Sequence, residues 1–263
     1  MTDVLIVVAH PDDAEIAMGM RLRDHTLTGD HVRVHCLSPG ASTAEEADQR
    51  RSECRAAGAL LGVAEYSFSQ IPDNEFVERR VEINRELFRV FSKRRPDIVY
   101  THFPDDQHLD HRITADEATT VALREAEALY YFRSPYSHGF EPTLYFIGTP
   151  DLLAAKQAAL ACFHSQQQLD MSVFSGLTEL AYRQHLHHRV VERFPDGAHG
   201  AEMFRTARQV VHATRPRVSR PGDATPASGA AARPLRGPGH LPAEPGHDPP
   251  PHTLSHSCRR ASP

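Results

Sequence analysis

Two stretches of this chain gather side chains that can do chemistry. One is "HPDD" at residues 10–13, directly after an apolar run at residues 4–9; the other is "HFPDDQHLDH" at residues 102–111, with three His and three Asp in ten positions. Neutral imidazole is the commonest metal ligand, and carboxylate oxygens serve zinc beside it. A catalytic zinc site takes about three protein ligands and leaves a position for water. A His and a carboxylate from one stretch, with a His from the other, would complete such a set. Each stretch alone has a plainer reading, as a strand-ending turn whose Asp caps the next helix or as a surface capping segment. Other chemistries lack their residues: there is no GxSxG elbow, "SPGAS" at residues 38–42 has one Gly and no Lys to cradle phosphate, and Cys54 sits inside a helical pattern.

The elements around these stretches decide whether they can meet. Residues 4–9, 32–37, 97–102 and 143–148 are short, rich in β-branched residues and bounded by polar or turn residues, and read as buried strands, with a weaker one at residues 66–70. Helical spacing marks residues 16–28, 43–61, 77–94 and 113–130. Ser42 or Thr43 can cap the second of these, Gly62 can end it, and Pro96 separates the third from the strand that follows. Strand and helix therefore alternate, which predicts a doubly wound, Rossmann-like α/β fold, a mostly parallel sheet with helices on both faces. Beyond Gly148 the alternation fades into a helix at residues 151–165, a His-rich stretch and a closing helix at residues 201–211. In such sheets ligands bind outside the carboxyl ends of the strands, where strand order reverses. The first cluster follows the first strand and the second follows the fourth, so both fall at one edge and together favour a metal site.

Composition limits the partners. Residues 214–263 hold eleven of the twenty prolines and almost no apolar periodicity, so residues 1–213 are expected to form the folded domain and residues 214–263 a disordered tail. The tail's seven Arg outnumber Asp223, Glu244 and Asp248, so the body is more acidic than the whole chain's −5. An acidic body argues against nucleic acid as a partner. The four Cys show no CxxC pair, Cys36 and Cys162 lie in apolar segments, and all read as thiols of a reducing compartment. No apolar run approaches the ~20 residues of a membrane span, and the N-terminus leaves no room for a signal peptide. A cytoplasmic protein is expected, with a homo-oligomer left open.

The motifs also carry a resemblance. "AHPDDAE" followed by "DDQHLDH" resembles the PIG-L or LmbE-type zinc-dependent N-acetylglucosaminyl deacetylases, which remove acetyl groups from amino sugars. "RRSECRAAGALLG", "IPDN", "KQAALACFHSQ" and "GAEMFR" are similar to further family segments, extending the likeness over residues 3–207. The resemblance implies that His10, Asp13 and His111 hold one zinc ion, for which iron(II) or cobalt(II) could stand in, and that Asp12 is the general base. His108 would stabilise the oxyanion or protonate the departing amine, with Asp110 orienting its ring and keeping it cationic. Arg50 and Asp73 would contact the sugar. Glu15 and His164 match family positions without an assigned task, and His102 and Asp106 would support the second cluster through hydrogen bonds. His185, His187 and His188 fall outside any motif and suit the surface or a substrate rim.

Two positions depart from the pattern: Leu109 stands where relatives often have Pro, and Gly200 where Tyr is common. The expected substrate is an acetylated amino sugar in a small molecule, with an aminoglycoside-type intermediate resembling N-acetylparomamine favoured by the acidic body. Rival readings are a deacetylase of a mycothiol-type precursor, another metal-assisted amidase or phosphate-ester hydrolase, and a metal-containing sugar-binding or regulatory protein without turnover. A two-metal phosphatase would need a second full ligand set. Asp12 and His108, which binding does not require, favour chemistry.

Overall fold

In the computed structural model, which describes residues 1–166, 169–185, 197 and 199–212, the first apolar run forms β1 (Asp3–Val8), buried along its whole length. Its side chains alternate between two layers, as the period of a strand requires. Val4, Ile6 and Val8 pack with Met18 and Leu22 of α1 (Asp13–Leu27), Cys54 and Leu61 of α2 (Ala44–Leu61) and Ala159 of α5 (Pro150–Leu160). Leu5, Val7 and Ala9 face the other layer, with Ile83, Leu87 and Phe91 of α3 (Arg80–Lys93) and Ala118 and Val121 of α4 (Leu109–Glu125). Burying each larger aliphatic side chain contributes about 1.5–3 kcal/mol, so β1 is anchored from both faces.

Strand β1 pairs in parallel with β2 (His31–Cys36) on one side and β4 (Ile98–His102) on the other. The parallel set continues outward through β3 (Glu65–Phe68) and β5 (Ala128–Phe132). β7 (Gly200–Gln209) then runs antiparallel between β5 and β6 (Leu144–Gly148), giving the order β3-β2-β1-β4-β5-β7-β6. The chain winds outward from β1 to β3 and returns to β4 on the opposite side of β1. The reversal therefore falls between the carboxyl ends of β1 and β4, where the two polar clusters emerge.

The expected α/β sheet is present, and the expected capping of α2 is met by a capping box between Thr43 and Glu46 and by Gly62 at φ 83°. Three expectations need correction. The helix expected at residues 113–130 ends at Glu125, and the aromatic run "ALYYF" forms β5, suited by ring type to a half-buried pleat. The closing helix expected at residues 201–211 is β7, because pairing with strands on both sides overrides the helix propensity of its Ala, Glu, Met and Arg. The region passed over as His-rich begins instead with α6 (Met171–His185). Cys36 and Cys54 are buried free thiols and Cys162 is partly buried. His187, His188, Cys258 and the tail at residues 214–263 lie outside the described residues. Among the described residues, no helix is long and apolar enough to cross a membrane.

Candidate active site

The turn after β1 is built before any ligand is considered. His10 N–H donates to Asp13 Oδ2 at 2.8 Å, and Ile16 N–H donates to Asp12 O at 2.9 Å as α1 begins. Asp12 sits between them in the left-handed region, at φ 87°. Asp tolerates that region better than most residues, but the conformation still costs free energy and must be held by its surroundings. Arg50 of α2 supplies the hold: it donates to Pro11 O at 3.4 Å and to Gly40 O, and its Nη2 lies 3.6 Å from Asp12 Oδ2. The expected sugar-contacting Arg50 thus already braces the turn after β1.

The loop after β4 is organised by Asp106. Its carboxylate accepts from His108 N–H at 2.9 Å, from Ser137 Oγ at 3.0 Å and from Ser134 Oγ, and lies 3.4 Å from His111 Nδ1. Ser134 and Ser137 follow β5, and their part was hidden while the residues before them read as the end of a helix; the polar "SPYS" after an aromatic run is the signal that could have found them. His108 caps α4, its Nδ1 accepting from Asp110 N–H at 3.3 Å, and the first turn of α4 buries Asp110 and His111. His102 Nε2 lies 3.1 Å from Ala9 N and 3.2 Å from Asp13 Oδ2. Burial, with the nearby His111, pushes His102 down to about 4, so its ring is neutral.

Imidazoles and carboxylates from both clusters therefore meet at the switch point. His10 Nδ1 lies 3.8 Å from Asp13 Oδ2 and His111 Nε2 lies 3.5 Å from Asp13 Oδ1, and the three ligand atoms all fall within 4.8 Å of one another. Tetrahedral zinc with bonds of about 2.0–2.2 Å needs ligand atoms about 3.4 Å apart, so this donor set fits a single cation. The outer nitrogens fit as well. His10 Nε2 is 2.9 Å from Asp73 Oδ1 and 3.3 Å from Asp110 Oδ2, and His111 Nδ1 faces Asp106. Carboxylates behind ligating imidazoles fix the tautomer and turn the opposite lone pair inward. A second set, His10, Asp73 and His108, also lies within 4.8 Å, but it shares His10 with the first.

Electrostatics separate the neighbouring aspartates. Burial pushes Asp13 up, but the His111, His102 and His10 rings overcome it and hold the carboxyl far below the usual range. Burial and the Asp13 charge push Asp12 well above that range, with Arg50 and His10 opposing. The two neighbouring carboxyls thus differ sharply in proton affinity, Asp13 held as a carboxylate and Asp12 favouring its proton. Burial would lower His10, yet Asp110, Asp73 and Asp13 together raise it to about 10, which marks a pocket that attracts positive charge.

Asp110 has a different task from the one expected. Its carboxylate accepts from Asn74 N–H at 2.7 Å and faces His10, while only its backbone N–H meets His108. His108 is accordingly not kept cationic: burial, then the His10 and His111 charges, lower it against the weaker pull of Asp110. Asp73 is half-exposed and held down to about 2 by its bond to His10. Glu15 turns into the core, where burial raises it to about 7 beside the Tyr66 hydroxyl. His164 lines a polar cavity with Gly40, Glu46, Gln49, Arg50, Ser165 and Gln166, next to the turn after β1. At Gly200 a Cβ would come to 3.0 Å from Thr178 Cγ2, so glycine suits the packing there.

Residues 5–122 match the family model described as PIG-L, GlcNAc-PI de-N-acetylase. That stretch of the chain is similar to the PIG-L family. Its matched residues include every member of the His10, Asp13 and His111 set. Solved structures share the fold. N,N'-diacetylchitobiose deacetylase from Pyrococcus horikoshii is 21% identical over 78% of this chain and 83% of its own, with a TM-score of 0.58. A triple mutant of a deacetylase involved in the teicoplanin biosynthetic pathway is 19% identical over 78% and 99%, with a TM-score of 0.61. The 4-carboxy-2-hydroxymuconate hydratase from Pseudomonas putida KT2440 is 20% identical over 82% and 100%, with a TM-score of 0.66. One fold thus serves both deacetylase and hydratase neighbours, and this chain's activity must be argued from its site.

Proposed function

We propose that this chain is a metal-dependent deacetylase that hydrolyses the acetamido group of an N-acetylglucosamine unit in a small molecule, releasing acetate and a free amino sugar. The observation that carries the reading is the three-donor set of His10, Asp13 and His111, with the Asp12 carboxyl adjacent in the same turn and braced by Arg50. A divalent cation held by His10, Asp13 and His111 would supply Lewis acidity, lowering the pKa of water from ~15.7 towards ~7 and polarising the acetyl carbonyl. Asp12, beside the donor set and facing Arg50 Nη2 at 3.6 Å, takes the proton as water attacks that carbon and holds it for return. The carbonyl becomes an oxyanion as the new C–O bond forms. His108, accepting at Nδ1 from Asp110 N–H, carries its hydrogen on Nε2 and presents a neutral donor to that oxyanion. When the C–N bond breaks, the amine leaves with the proton Asp12 had taken.

Asp73 is exposed enough to accept from a sugar hydroxyl, and Arg50 borders the polar cavity where the rest of the substrate would lie. The matched family's description and the deacetylase relatives favour an amino-sugar amide over other amides. The acidic chain favours a cationic substrate, such as an aminoglycoside intermediate of the N-acetylparomamine type. The test is to supply zinc-loaded protein with N-acetylglucosamine, N,N'-diacetylchitobiose and N-acetylparomamine and to measure free amine and acetate. Turnover on at least one is expected, with metal retained but turnover lost in Asp12→Ala, and metal lost in His10→Ala. No acetate from any of them would sink the proposal.

A further inference from the structure

Helix α1 carries Asp13 in its first turn, and it is not continuous: Met18, at φ −146° and ψ 29°, breaks it. In an unbroken helix Met20 N–H would bond Ile16 C=O and Arg21 N–H would bond Ala17 C=O. Here a buried ion pair takes over those groups. Glu202 of β7 accepts from Met20 N–H at 2.9 Å through Oε1 and from Arg21 N–H at 2.8 Å through Oε2. Lys156 of α5 donates from Nζ to Ile16 O at 2.8 Å, to Glu202 Oε1 at 2.8 Å and to Thr178 Oγ1 of α6 at 3.1 Å. Both charged side chains are 1% exposed. The signs match the helix ends they serve, a cation on the last carbonyl of the first turn and an anion on the first N–H groups of the next segment. Gly19 makes the approach possible, since a Cβ there would lie 2.8 Å from Lys156 Cγ.

A buried pair of this kind is an expensive way to gain stability, because desolvating two charges offsets most of their attraction. What it fixes is geometry. The turn at residues 13–17 is held at its start by the Asp12 turn and Arg50, and at its end by Lys156. We propose that Lys156 and Glu202 are positioning residues: by keeping α1 open at Met18, they orient its first turn so that Asp13 meets His10 and His111 and Asp12 faces the attacking water. Neither belongs to the His10, Asp13 and His111 donor set. The inference rests on the metal-site reading of His10, Asp13 and His111, and reaches that site from α5 and β7, elements far along the chain from the turn they hold.

The test uses the full chain with Lys156→Met and Glu202→Leu combined, which leaves no buried charge unpaired and lets α1 close its own bonds at Ile16 and Ala17. The double variant is expected to fold, as judged by circular dichroism and thermal melting. Its zinc affinity, read by chelator competition, should fall by about 10- to 100-fold, the absorption of the cobalt(II)-loaded protein should change, and kcat should fall more than KM rises. A folded double variant with unchanged affinity and an unchanged cobalt spectrum would overturn the inference. If the double variant does not fold, Thr178→Val removes one bond to Lys156 and should weaken metal binding severalfold; unchanged affinity there overturns it equally. Wild type that binds zinc yet releases no acetate defeats the deacetylase proposal alone, whereas wild type that binds no divalent cation defeats the metal site and this inference together.

Discussion

His35 offers a quantitative test of how the sheet below the site is held. It lies in β2 with a 2% exposed ring, Nδ1 3.0 Å from Ser67 Oγ and Nε2 3.1 Å from Ser69 Oγ. Burial first, then the Lys93 and Arg33 charges, push it from 6.5 down to about 4. The unfolded chain therefore binds more protons than the native chain between these two values. Stability rises with pH through that window and is lost as pH falls through it. For a shift of this size, lowering the pH from about 7 to about 5 costs about 2 kcal/mol through this one residue. His35→Gln keeps a hydrogen-bonding side chain but has nothing to protonate. Urea unfolding of both proteins at these two pH values should show the variant losing about 2 kcal/mol less than wild type. His102, also lowered to about 4, titrates in both proteins and drops out of the difference. Equal losses in the two proteins would refute the buried, neutral His35.

Other predictions concern the site and its supports. Asp12→Asn should reduce turnover by about 10²- to 10⁴-fold, the usual contribution of a general base, with bound zinc unchanged by elemental analysis. Gly62→Ala places a Cβ at φ 83° and 2.9 Å from Thr26 Oγ1, and should destabilise the chain by at least about 1 kcal/mol in urea unfolding. Removing divalent cations with a chelator should abolish turnover and lower the Tm, because a ligand bound only by the native state stabilises it by mass action. Deleting residues 214–263 should leave kcat and Tm unchanged in the same assays.

The alternating core was legible because period-two burial and helical spacing are local properties. The apolar run at residues 4–9 became β1, and the capping chemistry of Thr43 and Gly62 bounded α2 as its residue types require. The second half was harder to read. In "ALYYF" and "GAEMFR" local propensity competes with pairing to distant strands, and only the sheet decides the outcome. The motif segments around Lys156 and Glu202 stood out by resemblance, but nothing local indicated that they meet inside α1.

By itself, the sequence determined which residues could hold a cation and which sheet edge they would share, because strand ends and residue types are written locally. Tertiary structure decided the surroundings that make those residues differ. Asp12 and Asp13 are adjacent carboxylates in sequence, and only their burial among His10, His102, His111 and Arg50 drives their proton affinities apart. Asp110 is two residues from His108, yet its carboxylate faces His10, whose chain position is far away. Charge and hydrogen bonding act over distances in space, and folding alone sets those distances.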